Sequence, residues 1–72
     1  NFRDRQLYVV SERNLAIAEK SAGLNSRAND RLRALAETLN ALATDPKLVG
    51  DSKAQNWLSR QQLEIESTLD QQ

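Results

Sequence analysis

Seventy-two residues with ten basic and ten acidic side chains, no cysteine and no histidine admit one small domain and exclude disulfides, thiolate metal sites, the commonest general base and a histidine pH switch. Residues 1–44 carry seven basic and five acidic groups and residues 45–72 carry three and five, so neither part has the basic stripe of a nucleic-acid binder. The longest apolar runs, Leu7–Val10 and Leu15–Ala18, are four residues each, far short of the roughly 20 that span a bilayer. Because the sequence starts at Asn1 rather than methionine, we expect an excerpt or a processed product of a longer protein.

From Arg3 to Ala43 the chain is rich in Leu, Ala, Arg and Glu and contains no proline, a composition that favours helix. Leu7, Val10, Asn14, Ile17, Ser21, Leu24, Ala28, Leu32, Leu35, Leu39 and Leu42 recur at steps of three and four, which keeps them on one helical stripe. Two successive steps of four, Leu24 to Ala28 to Leu32, interrupt the heptad as a stutter and argue against a long uniform supercoil. The stretch Leu32, Leu35, Leu39 and Leu42 is the strongest seam. Asn14 stands at a seam position, where a polar side chain can fix register and oligomeric state; the plainer reading is a partly wet edge residue. Ser21 and Ala28 extend the same line with small side chains that let a second helix approach.

Beside the stutter, Gly23 leaves two readings open. It can be the left-handed residue after a helix whose last turn holds Lys20, with Asn25 or Ser26 capping a new one; or it can lie inside one continuous helix, at a cost of about 1 kcal/mol. The stripe passes through it without changing face, and we therefore take the helix as continuous over about 3–43. The next break is better marked. Thr44-Asp45-Pro46 ends the helix, because the residue before proline is pushed out of helical backbone, and 44–51 forms a turn. Ser52, with Gln55 three residues on, has capping-box spacing and opens a helix to about 70 whose stripe is Ala54, Trp57, Leu58, Gln61, Ile65 and Leu69.

The fold expected is therefore all-α within a single domain, 1–72: a long amphipathic helix, broken or unbroken at Gly23, plus a shorter C-terminal helix, as a helical hairpin or three-helix bundle. With 19 large apolar side chains, the core is thin enough that association with further copies is expected.

No residues assemble into a reaction centre. Glu64 and Glu66 are two apart and diverge on a helix. Arg60 with Glu64 and Arg33 with Glu37 have the i, i+4 spacing of surface ion pairs. Arg27, Arg31 and Arg33 cluster, but Asp30 lies among them and is placed to pair with Arg27. There is no phosphate-binding glycine loop and no metal-ligand spacing. The expectation is a chain that is not an enzyme and uses no cofactor. Trp57 and Leu58 are expected in the core, with partner anchoring as the other option, since aromatic residues are enriched at interface centres.

Residues Arg31-Leu-Arg-Ala-Leu-Ala-Glu-Thr-Leu-Asn-Ala-Leu-Ala-Thr-Asp-Pro-Lys-Leu-Val49, followed by Asp51–Glu66 with Trp57-Leu58, resemble the first helices of extracytoplasmic Cache-type sensor domains of bacterial sensor kinases and chemoreceptors. The resemblance covers about half the chain. It implies a long helix leaving a membrane, an Asp-Pro turn, and a shorter helix leading into a ligand-binding sheet. Dimerisation and signal relay by the stalk helix would then be the function. The family's sheet and its ligand-binding residues are absent from this sequence.

Three functions follow as expectations. The first is a structural or assembly subunit, for example of a virion or another large particle, acting through Leu7, Val10, Asn14, Ile17, Leu24, Ala28, Leu32, Leu35, Leu39 and Leu42. The others are the sensor stalk and a small regulator anchored by Trp57 and Leu58. Protein is the expected partner, by self-association or within a larger assembly, rather than nucleic acid or a bilayer.

Overall fold

The computed structural model describes residues 1–70, which form three α-helices: α1 (Phe2–Ser21), α2 (Asn25–Ala43) and α3 (Ser52–Asp70). The central helix, α2, packs against both of the others, giving a slab with Cα extents of 39 × 21 × 15 Å.

The long helix does not run through. Gly23 takes φ 83°, and the Leu24 amide donates to the Glu19 carbonyl at 2.8 Å while the Gly23 amide donates to that of Lys20 at 3.0 Å. This is the Schellman pair of bonds, which satisfies the last carbonyls of α1 and reverses the chain. The continuous helix over 3–43 is thus corrected to a tight hairpin, because a left-handed glycine lets two amphipathic helices cover each other's apolar faces. Neither Asn25 nor Ser26 caps α2: Leu24 holds the cap position, with no side-chain bond.

Within the hairpin, side-chain size grows away from the turn. Counted outward from the turn, the inward residues of α1 are Ala16, Val9 and Phe2 and those of α2 are Ala28, Leu35 and Leu42, at steps of seven along each helix. All six belong to one core cluster, Phe2 partly buried and the rest buried. Small residues at the closed end allow the backbones to approach, and larger ones fill the open end. Along the same buried stripe α2 also presents Leu32 and Leu39, in one cluster with Leu58 and Ile65 of α3.

The turn after α2 is fixed by side chains. Asp45 Oδ1 accepts from the Lys47 amide at 2.9 Å, and Gln55 Nε2 donates to the carbonyls of Ala43 and Leu48 at 3.3 and 3.0 Å. Asp51 caps α3 by accepting from the Ala54 amide at 3.1 Å. The cap therefore falls on Asp51 rather than Ser52, and no capping box forms because Gln55 reaches back across the turn instead. The apolar stripe of α3 forms as read from its spacing: Ala54, Leu58, Gln61 and Ile65 are buried, with Trp57 and Leu69 packed partly buried against the core.

Candidate protein-interaction face

The ten residues of the expected interface divide at the hairpin. Ala28, Leu32, Leu35, Leu39 and Leu42 are buried inside the chain's own core, each at most 3% exposed, and so cannot also meet a partner. On the α1 side, Leu7 is 61%, Ile17 45% and Leu24 46% exposed, Asn14 is exposed and Val10 is half-buried. The face that α1 turns inward is instead Phe2, Val9 and Ala16. It is rotated by one residue, about 100°, from the stripe through Val10 and Ile17.

The reason lies in the charges of α1. Glu12, Arg13, Glu19 and Lys20 are half-buried and all bond to the other two helices. Arg31 of α2 donates to Glu12 at 2.9 Å and to Glu19 at 2.8 Å. Arg13 reaches α3, donating at 2.6 Å to both the buried Gln61 and Glu64. Lys20 Nζ donates to the Thr68 carbonyl. The hydrogen bond from Arg31, opposed by desolvation and aided by the positive charges of Arg31 and Arg27, holds the Glu19 carboxyl below its ordinary range; hydrogen bonds to Glu19 and Glu12 hold Arg31 above its own. These bonds straddle the Val9–Ala16 line and fix which way α1 faces. Two of the local pairings expected from spacing give way to bonds with α1, Glu64 turning to Arg13 and Arg27 to Glu19 at 3.8 Å, while Arg33 pairs locally with Asp30 at 3.8 Å.

Beyond the first turns, which expose Arg3, Asp4 and Arg5, what remains outside on α1 carries no charge. From residue 7 to residue 22 the exposed positions are Leu7, Tyr8, Ser11, Asn14, Leu15, Ile17, Ala18, Ser21 and Ala22. Tyr8 is 55% and Leu15 49% exposed. An ordinary surface helix has the reverse arrangement, charges outward and apolar residues inward. Beside this face, Ile17 and the exposed Leu63 of α3 line a shallow groove with Arg13, Glu64, Ser67 and Thr68. The apolar repeat alone does not separate the two faces of α1, because Val9 and Val10, and likewise Ala16 and Ile17, are adjacent candidates. The discriminating signal is the charged doublets Glu12-Arg13 and Glu19-Lys20, seven apart, which mark the inward half once a second helix is there to receive them.

Leu58 is 1% exposed and closed inside the bundle. Trp57 meets Phe2 edge-on, ring centroids 5.8 Å apart at 85°, a favoured aromatic geometry that joins the start of α1 to α3. Among the described residues no group of three or more histidine, cysteine, aspartate or glutamate side chains could hold a metal ion, and no described helix is long and apolar enough to cross a membrane.

The fold and this face define a compact three-helix bundle in which one helix exposes only uncharged side chains from residue 7 to residue 22. No known protein family's profile matches the chain, and no curated protein or solved structure matches it.

Proposed function

We propose that this chain is a non-enzymatic assembly subunit, such as a component of a virion or other large particle, that docks another protein through the outward face of α1. One observation carries the reading: between residues 7 and 22 every exposed side chain of α1 is uncharged, while all four charged ones are bonded inward. Covering such a face removes apolar area from water at little desolvation cost, whereas a charged face must be re-paired after it is dehydrated. Depletion of charge is also the compositional mark of an interface centre. In this reading α2 and α3 form the scaffold, and Leu32, Leu35, Leu39 and Leu42 hold the fold together rather than the assembly.

The regulator and stalk readings draw less support. Leu58 is closed off, and Trp57 is engaged with Phe2. Relay along one long helix needs a rod through residues 3–43, and the chain folds back at Gly23.

The test is a photo-activated cross-linker placed at Leu15 of the full-length protein in the cells that make it, with a second at Ser59 on the exposed side of α3. The expected result is a discrete protein adduct from Leu15 and none from Ser59. No adduct from Leu15 would overturn the docking reading.

A further inference from the structure

The apolar attachment of α1 is thinner than that of its neighbours. Its buried apolar side chains are Val9 and Ala16, with Phe2 partly buried beside them. Along α2 the leucines at 32, 35, 39 and 42 are all buried, and α3 contributes the buried Leu58 and Ile65. Burial stabilises in proportion to the apolar area removed from water, so a valine and an alanine contribute less than a leucine and an isoleucine. The α1 backbone lies close along α2, but closeness through small side chains covers little apolar area.

Polar bonds make up the difference. Arg31 bridges Glu12 and Glu19, Arg13 holds Gln61 and Glu64, and Lys20 reaches the Thr68 carbonyl. All four of these α1 side chains are half-buried and within reach of water. Bonds of this kind are exchanged for bonds to water when they part, whereas an uncovered leucine finds no replacement there. The connection to α2 is short and uncrowded: Ala22, Gly23 and Leu24 are exposed, and even a side chain added at Gly23 would meet nothing within 4 Å.

We infer that α1 is a releasable arm, which comes away from α2 and α3 as a unit at the Gly23 turn, with Glu12, Arg13, Glu19 and Lys20 as its latch. Without it, α2 and α3 stay joined through Leu32, Leu39, Leu58 and Ile65 and through the bonds of Gln55 to the Ala43 and Leu48 carbonyls. Release uncovers Ala28, Leu35 and Leu42, so the open form offers an apolar seam that the closed form hides. One unit opening ahead of the rest is the normal behaviour of a fold whose local stabilities differ. The inference concerns this chain alone and does not depend on what meets the outer face of α1.

The experiment is amide hydrogen exchange of the folded chain, read residue by residue by NMR. A detached helix of 20 residues is marginal in water, so the amides of an open α1 exchange. Residues 9–16 are expected to share one protection value, lower by about tenfold or more than that of residues 32–39 and 58–65. Asp51→Ala removes the cap of α3, a bond that persists while α1 is away. It should therefore lower protection at 58–65 by about fivefold and leave 9–16 unchanged. Arg31→Gln should lower protection at 9–16 by about tenfold; if that variant does not fold, Glu12→Gln, which removes one end of the bridge, is read in the same way. Equal protection in all three helices overturns the arm, as does an equal loss at 9–16 and 58–65 in Asp51→Ala, because the chain then opens as one body. A gradient across 9–16 that falls toward residue 2 is fraying and also overturns it. Unchanged protection at 9–16 in the latch variant refutes the latch.

Discussion

Helices α1 and α2 are nearly equal in length and cover each other, yet they carry their charge on opposite sides. Along α2 the exposed positions include Arg27, Asp30, Arg33 and Glu37, and the buried ones are Ala28, Leu32, Leu35, Leu39 and Leu42. In the middle of α1, Glu12, Arg13, Glu19 and Lys20 sit at the flanks of the buried line, while Leu7, Tyr8, Leu15 and Ile17 face outward. The contrast separates two uses of apolar side chains. Those of α2 hold the monomer together, whereas Leu7, Tyr8, Leu15 and Ile17 on α1 leave about half or more of their surface in water.

Truncation is the strongest way to break this comparison. Leu39→Ala removes a fully buried side chain and is expected to cost about 2–5 kcal/mol, read as a lower midpoint in a denaturant titration. Gly23→Ala comes next. A side chain there meets nothing within 4 Å, so the cost is the left-handed backbone alone, about 1–2 kcal/mol. A thermal melt should drop by roughly 4–8 °C for each kcal/mol lost.

The inward charges make a smaller, pH-dependent contribution. Because Arg31 holds the Glu19 carboxyl below its ordinary range, the ionised form stabilises the fold. That contribution is complete above the unfolded carboxylate value of about 4.3 and is lost as the pH falls through the lower folded value. Melting temperature measured from pH 7 to pH 2 should fall less steeply over that acid window for Glu19→Gln than for the parent. Equal slopes would show that Arg31 does not hold Glu19 in solution.

The smallest expected effect is the most diagnostic. Leu15→Lys, on the exposed flank of α1, should change the stability of the dilute monomer by less than about 0.5 kcal/mol, despite replacing a leucine in the middle of a helix. A loss comparable to that of Leu39→Ala would mean that Leu15 is buried in the folded chain and that the two faces of α1 have been exchanged.

Local chemistry determined much of this protein. The Asp45-Pro46 turn, the stripe of α3 and the seam Leu32–Leu42 follow from proline sterics and from apolar spacing within one helix, and each forms where the residues place it. Other features depended on partners distant in the chain. Gly23 was compatible with helix or turn, and the hairpin prevailed because reversal brings Phe2, Val9 and Ala16 against Ala28, Leu35 and Leu42. Asp51 took the cap that Ser52 offered, since Gln55 is drawn to the carbonyls of Ala43 and Leu48. The facing of α1 was likewise open: adjacent apolar residues, Val9 beside Val10 and Ala16 beside Ile17, offer two stripes of similar quality. Only the tertiary structure chose between them, because Arg31 lies 12 and 19 residues from the carboxylates it joins and Gln61 and Glu64 lie 48 and 51 residues from Arg13. The sequence by itself determined that α1 is a helix; contacts across the fold decided which half of it is left for a partner.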